Sequence, residues 1–149
     1  MAGRSTATFE VTIDRPPAEV FAYLSDVSRH GEWSPKPYRV EGTSGPVTAG
    51  ESFTSVGVVP GDKNHRNEVT VTDSSPPHRL VLDSIEKGEH FLNSFDVEPD
   101  GAGTRLTRTF DAPPPKFPLS VVFPLIMAAF IKPDVNKGLS MLKANLERS

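Results

Sequence analysis

Polar side chains interrupt two otherwise apolar strand patterns in the second half of the sequence. Asn93 stands midway between Phe91 and Phe95, and Arg108 stands two residues before Phe110. Alternate residues of a β-strand share a face, so the spacing places both polar side chains on an apolar side. A buried guanidinium is costly unless an acid or ligand oxygens pair with it, which makes both residues candidate ligand-orienting groups. The alternative is a bulge, an edge strand or an extended arginine that carries these groups to water.

Three further residues are the available candidates for acid–base chemistry. His30 and Glu32 lie close together after the first helical pattern, and His65 shares strand parity with Val69 and Val71. A histidine beside a carboxylate can act as a general acid–base pair. More often such a pair is solvated at the end of a helix, so these residues are weak catalytic candidates and a non-catalytic protein is favoured.

The sequence lacks the motifs of metal, nucleotide and covalent chemistry. It contains no cysteine and only four scattered histidines, so we expect no metal site. A nucleophile elbow, a phosphate-binding loop, a dinucleotide glycine fingerprint and a His-x-x-x-His pair are all missing from the sequence. We therefore expect no cofactor.

Charge and the N-terminal residues restrict the partners and the location. The chain has 149 residues and a net charge of −3, without a block of basic residues, so a nucleic-acid partner is not expected. The first eight residues are polar and contain no apolar signal region, which predicts a cytoplasmic location. The length fits one domain, residues 1–149. Its oligomeric state cannot be inferred.

The first third of the chain predicts a strand followed by two short helices. Phe9, Val11 and Ile13 alternate with polar residues, which is the pattern of a strand with one wet face. Pro16 and Pro17 then suit the start of a helix, whose first amide hydrogens need no partner within it. The apolar residues of this first helix are Val20, Phe21, Leu24 and Val27. A second short helix is predicted to end near Trp33.

Six strands are predicted in the middle of the chain, and their short connections indicate an antiparallel arrangement. Parallel neighbours would need crossovers of about a dozen residues or more. The order of strand, two helices, six strands and a final helix gives an α+β domain. The predicted strands are 38–42, 51–59, 65–73, 79–85, 90–98 and 103–110.

The last third of the chain contains an apolar stretch followed by an amphipathic helix. Residues 117–131 carry no charge, but a bilayer-spanning helix needs about 20 apolar residues and this stretch also contains prolines, so no transmembrane segment is predicted. Proline is unfavourable inside a helix, so we expect a break or kink near Lys132-Pro133, with a shorter apolar helix before the main one and a hinged or separately mobile flap beside the cavity mouth. The apolar stripe of the helix that follows comprises Val135, Leu139, Leu142 and Leu146.

This order of elements, with these residues, resembles the START-related lipid-transfer and polyketide cyclase/dehydrase superfamily, which has the helix-grip fold. The resemblance extends from Thr8 to Glu147, and the combined order of its motifs is more specific than any one of them. The matching motifs are Pro16-Pro17-Ala18-Glu19-Val20-Phe21-Ala22-Tyr23-Leu24, Asp26, Trp33-Ser34-Pro35, Gly103-Thr104, Gly138-Leu139 and Leu142-Lys143.

The resemblance implies a seven-stranded antiparallel sheet curved around the long C-terminal helix, with a hydrophobic cavity between them. It also places His30 and Glu32 near the entrance of that cavity. The expected ligand-binding residues are Trp33, Phe53, Phe91, Asn93, Phe95, Arg108, Phe110, Phe123, Met127 and Phe130. Each apolar member of this set could equally be ordinary core.

Three functions fit these expectations, because one fold can host several activities. The first is binding or transport of a hydrophobic small molecule, such as a lipid, a fatty acyl chain or a polyketide-like compound. The second is a cyclase or dehydratase that uses acid–base residues in the same cavity. The third is a regulatory module that binds another protein.

Overall fold

The fold is built on one seven-stranded sheet, seen in a computed structural model that describes residues 5–59 and 61–148. Every strand pairs with its neighbours in the antiparallel sense. The strands are β1 Ser5–Ile13, β2 Arg39–Glu41, β3 Ser52–Val59, β4 Asp62–Ser75, β5 Arg79–Glu86, β6 Glu89–Asp100 and β7 Gly103–Ala112.

The strand order is β1-β7-β6-β5-β4-β3-β2, so β2 to β7 form a meander and β1 closes against the last strand. The register places Arg108 of β7 opposite Phe95 of β6 on one side and Phe9 of β1 on the other. Asn93 lies opposite Phe110 across the same β6–β7 pair. Two polar side chains on neighbouring strands are thereby brought to the same region of the sheet.

The helices follow β1 and β7. Pro17 stands at the start of α1, Pro17–Ser25, and a 3-10 helix, Val27–Trp33, comes directly after it. The C-terminal helical region contains α2, Leu119–Ile126, a π-helical turn, Met127–Ile131, and α3, Lys132–Arg148. This architecture confirms the α+β class and the curved sheet around a long terminal helix.

The core lies between the sheet, α1 and the second half of the C-terminal helical region. The predicted stripe of α3 is buried at Leu139, Leu142 and Leu146, and Val135 packs at its edge. The sheet contributes apolar side chains to the same core, including those of Leu82, Phe95 and Leu106. Burial of these apolar side chains holds α3 against the sheet.

The helix continues through Pro133, so the break that was one of the two expectations for this position is not seen. The chain is helical from α2 through α3, and its irregularity is the π turn that ends at Ile131. There the Lys132 amide donates to the Met127 carbonyl, five residues back. A π turn changes the local bonding pattern, and Pro133 follows it at a position where its missing amide hydrogen is tolerated.

The first half of this helical region has no fully buried side chain. Leu119, Val121, Val122 and Leu125 of α2 are exposed, as is Phe130 of the π turn. By contrast, the part of α3 that follows Asp134 packs on the sheet. The same continuous helix thus has an unpacked apolar half and a packed amphipathic half.

Candidate functional site

A cavity of about 320 Å³ lies between the concave face of the sheet, the end of the 3-10 helix and the start of α3. Its wall mixes aromatic, aliphatic, hydroxyl, amide and charged side chains. The lining residues are His30, Trp33, Ser34, Pro35, Tyr38, Ser55, Asn67, Val69, Leu82, Ser84, Asn93, Arg108, Phe110, Asp134, Val135 and Gly138.

Arg108 is the main charged group in this wall. Its guanidinium carbon lies 5.2 Å from the ring centre of Trp33, 5.1 Å from that of Phe95 and 4.5 Å from that of Phe110. Its Nε donates a hydrogen bond to Oδ1 of Asn93, at 3.1 Å. Three aromatic rings and one amide therefore fix the guanidinium at the cavity surface.

No carboxylate among the described residues forms a salt bridge with Arg108. Burial lowers the pKa of its guanidinium to about 10, because the charged form loses hydration. At neutral pH the group is still protonated. The cavity wall thus presents a positive charge with spare hydrogen-bond donors, since a guanidinium has five N–H groups.

Tyr38 adds a hydroxyl to the same cavity. It is hydrogen-bonded to Ser55, and burial raises the pKa of its phenol, so the hydroxyl is neutral at physiological pH. The segment that carries Tyr38 lies against the 3-10 helix at Gly31, where a β-carbon would collide with the Tyr38 carbonyl oxygen. A glycine at position 31 is therefore required for this close approach.

Two buried polar atoms of the cavity wall have no hydrogen-bond partner in the described part of the chain. They are Nε1 of Trp33, a donor, and Oδ1 of Asn67, an acceptor. Buried polar groups are usually paired, so these two unpaired atoms are exceptions among the described residues.

His30 contributes a neutral ring to the wall. Its Nε2 donates to the carbonyl oxygen of Leu24 at 2.7 Å, and its ring packs 4.7 Å from that of Trp33. Burial, together with the charge on Arg108, lowers the pKa of the His30 imidazole to about 4. The side chain is therefore uncharged at neutral pH, and one of its two nitrogens is occupied by the backbone.

Glu32 and His65, the other two acid–base candidates, lie outside the cavity. Glu32 is exposed, accepts hydrogen bonds from Arg29 and Tyr23, and has the pKa of its carboxyl lowered by Arg29. His65 lines an adjoining depression of about 280 Å³ and lies 2.9 Å from Glu86. The structure does not bring His30, Glu32 and His65 together as an acid–base group.

The predicted ligand-binding residues fall into separate regions. Trp33, Asn93, Arg108 and Phe110 line the cavity. Phe53 and Phe95 are buried in the core, where Phe95 supports Arg108 from below. These positions are consistent with strand parity. Parity predicts on which face of the sheet a side chain lies, but it does not predict whether the neighbouring side chains leave a cavity there.

A second, more apolar groove of about 500 Å³ lies under α2. Phe91, Phe123 and Met127 line this groove, and Phe110 belongs to both the groove and the cavity. Phe130 lines neither of them and is 69% exposed. The apolar half of the helical region therefore lies next to the cavity and does not form part of its wall.

Several cavity residues were not singled out in the sequence. Ser55 and Ser84 lie two residues from the buried Phe53 and Leu82, so the parity argument that identified Asn93 could have found them. Tyr38 precedes a three-residue strand, and Asp134 belongs to the first turn of α3, where no such periodic signal exists. Asp134 is paired with Lys36 at the cavity rim, 2.9 Å away.

No group of three or more metal-ligating side chains is present within residues 5–59 and 61–148.

Comparisons with solved structures show the same fold at low sequence identity. Protein Ms6760 from Mycobacterium smegmatis is 14% identical, with a TM-score of 0.70 over 96% of this chain and 91% of its own. TTHA0849 from Thermus thermophilus is 19% identical, with a TM-score of 0.71 over 97% and 98% of the two chains. DynU16, from the dynemicin biosynthetic locus, is 17% identical, with a TM-score of 0.63; the match covers 95% of this chain and 47% of DynU16.

A comparison with curated proteins gave no match. A sequence model of one family does match, and it covers residues 4–147. That family is described as polyketide cyclase / dehydrase and lipid transport. Because the match covers nearly the whole chain, this protein belongs to the polyketide cyclase/dehydrase and lipid-transport family.

Proposed function

We propose that this protein binds a small, mainly hydrophobic molecule in the cavity between the sheet and α3, with an oxygen-bearing or anionic end held by Arg108. The observation that carries this proposal is a cavity-facing guanidinium without a carboxylate partner in the described residues. Arg108 is half-buried, so its charge is incompletely hydrated, and oxygen atoms of a ligand would compensate for the missing water.

The size of the cavity supports a compact ligand. Ligand cavities usually measure about 300–1,000 Å³, and the 320 Å³ found here is at the lower end of that range. A compact polyketide-like ring system or a short acyl chain fits this volume better than a long lipid. Val69, Leu82, Phe110 and Val135 would contact its apolar body.

The polar wall supports an oriented ligand. Arg108 supplies charged donors, and the Ser84 hydroxyl and the Asn93 amide also line the cavity. Hydrogen bonds at these positions would fix which end of the molecule meets the sheet, while apolar burial would supply most of the affinity.

Cyclase or dehydratase activity is the alternative, and the acid–base candidates give it no specific support. His30 is held neutral by burial and donates to Leu24, while Glu32 and His65 lie outside the cavity. Binding without turnover is the function that the site geometry favours.

The direct test is a titration of the protein with 2-naphthoate, a compact aromatic carboxylate, and with the uncharged 2-naphthalenemethanol. Trp33 is the single tryptophan, so its indole N–H gives one NMR signal from the cavity wall. The carboxylate is expected to shift this signal and to bind more tightly than the alcohol. Arg108→Met should weaken carboxylate binding about 10–100-fold, the range expected for a lost hydrogen bond to a charged group.

Arg105→Met is the matched control for this variant. Arg105 lies on the same strand but is exposed on the other face, where it pairs with Glu98. It should bind both compounds like the wild type. Equal carboxylate affinities for Arg108→Met and Arg105→Met, with both proteins folded, would contradict the proposal.

A further inference from the structure

The apolar half of the C-terminal helical region exposes large apolar side chains to solvent, which is unusual for a surface helix in water. We call residues 117–131 the apolar arm. The exposed residues include Phe117 (82% exposed), Leu125 (72%) and Val121 (69%), and no residue of the arm is charged. Surface helices usually carry polar residues on the face turned away from the core, so this face indicates a partner that replaces water.

The arm is apolar on its inward side as well. Phe123 and Met127 are half-buried and line the apolar groove, whereas Val121 and Leu125 are exposed and do not line it. A helix that docks in a protein groove needs one apolar stripe. A helix that is apolar all round is typical of a hydrocarbon environment.

Positive charges stand at both ends of the arm. Lys116 and Lys132 are exposed and immediately flank the uncharged stretch. If two copies paired through this arm, lysines would meet lysines in either the parallel or the antiparallel orientation, and like charges in contact are unfavourable. Anionic lipid headgroups at the two ends of an immersed helix would instead neutralise them.

The length of the arm indicates how it would lie. Among the described residues one helix, Leu119–Arg148, is long and apolar enough by length and composition to cross a membrane. Its second half is fixed to the sheet by Leu139, Leu142 and Leu146. The remaining helical part, 119–131, is about 20 Å long at 1.5 Å per residue, which is less than the roughly 30 Å of a bilayer core.

We infer that the apolar arm inserts in the surface layer of an anionic lipid bilayer, lying along it, with Lys116 and Lys132 at the headgroups. This inference is independent of whether the cavity holds a ligand. Because the whole chain has a net charge of −3, apolar burial must dominate and the lysines add a preference for anionic lipid.

The test is co-flotation of the full chain with vesicles of 70% phosphatidylcholine and 30% phosphatidylglycerol, and with vesicles of phosphatidylcholine alone. The wild type is expected to float with both, and more with the anionic vesicles. Leu125→Asp places a charge in the centre of the outward face and should lower the partition coefficient at least tenfold. Lys116→Gln combined with Lys132→Gln should remove the preference for anionic vesicles.

Ile85→Asp is the matched control, because Ile85 is an exposed aliphatic residue of β5 that belongs neither to the arm nor to the lining of the apolar groove. It should float like the wild type. In a second measurement, Phe130→Trp should show a blue-shifted emission on vesicles and quenching by brominated lipid. The single native tryptophan, Trp33, is buried and gives a constant background.

Three results would overturn the inference. One is a wild-type protein that stays with the aqueous fraction for both vesicle types. Another is equal flotation of the wild type and Leu125→Asp. The third is a wild-type dimer in sedimentation velocity that Leu125→Asp converts to a monomer, since a second copy would then cover the arm. The exposure of Leu125 makes unfolding by the substitution unexpected, and circular dichroism checks this.

Discussion

At the scale of single residues, Arg108 carries a positive charge that has one hydrogen-bonded amide partner and no salt bridge among the described residues. Asn93 accepts one of its hydrogen bonds, and the rings of Trp33, Phe95 and Phe110 contact its faces. Replacing a buried charge by an apolar group of similar size is often neutral or stabilising. Arg108→Met should therefore leave the free energy of unfolding unchanged or raised while it weakens binding, which separates a binding role from a structural one.

His30 should make the stability of the protein depend on pH. Its folded pKa of about 4 lies below the ordinary value of 6.5, so between these two values the unfolded chain binds a proton that the folded protein does not. The free energy of unfolding is therefore expected to fall as the pH decreases from 7 to 5, with roughly 2 kcal/mol of the loss due to His30. Urea unfolding of the wild type and His30→Gln at both pH values measures this contribution.

In His30→Gln the amide can still donate to the Leu24 carbonyl, but it cannot be protonated. The difference between pH 7 and pH 5 should shrink by about that amount. His78→Gln, at an exposed position, serves as the control and should keep the wild-type difference. An unchanged difference in His30→Gln would show that His30 is not the buried neutral group described here.

Strand parity predicts side-chain direction well, because a strand has only two faces. It correctly placed Asn93 and Arg108 on the side of the sheet where they line a space with Phe110. Parity does not distinguish a side chain that borders a cavity from one that fills the core, which is why Phe53 and Phe95 share their faces with cavity residues. That distinction depends on three-dimensional packing volumes that one sequence does not contain.

At the scale of elements, Gly138 determines how closely α3 approaches the end of the 3-10 helix. A β-carbon at Gly138 would lie 3.0 Å from the carbonyl oxygen of Trp33 and 3.5 Å from Cδ of Pro35. All three residues line the cavity, so the helix position and the cavity shape depend on the same contact. A larger side chain there must displace backbone, which is less tolerant than a flexible side chain.

Gly138→Val is expected to lower the free energy of unfolding by about 1–3 kcal/mol, the usual cost of overpacking. It should also weaken 2-naphthoate binding, since Val135 and Trp33 would move apart. Ala144→Val, at an exposed position of the same helix, shows the effect of a valine that makes no close contact; because glycine has a lower helix propensity than valine, propensity alone would not destabilise Gly138→Val. Chemical denaturation and the Trp33 indole signal measure the two effects, and a Gly138→Val protein as stable as Ala144→Val would refute the close contact.

The elements themselves were largely predictable, because alternation and helical spacing are local properties. The final helix was the exception, for Pro133 predicts a break or kink, and the structure has a continuous helix with a π turn at Met127–Ile131 directly before Lys132. The apolar arm also has no periodic polar face, so its pattern indicates burial without indicating by what. The side-chain exposures show that the described part of the protein leaves much of the arm uncovered.

At the scale of the whole molecule, the cavity and the apolar groove are neighbours. Phe110 forms part of both walls, and the arm continues directly into α3, whose first turns line the cavity with Asp134, Val135 and Gly138. A ligand site and a lipid-facing helix would therefore share one continuous element. If both proposals hold, an apolar molecule could pass between bilayer and cavity over a short distance.

The most direct test of the central claim is native mass spectrometry of the protein as purified, beside Arg108→Met and Arg105→Met prepared in the same way. The account predicts a bound small molecule of one defined mass on the wild type and on Arg105→Met, with its occupancy strongly reduced on Arg108→Met. Equal occupancy on all three proteins, or a wild type that carries no molecule and takes up no 2-naphthoate, would contradict a cavity that binds its ligand through Arg108.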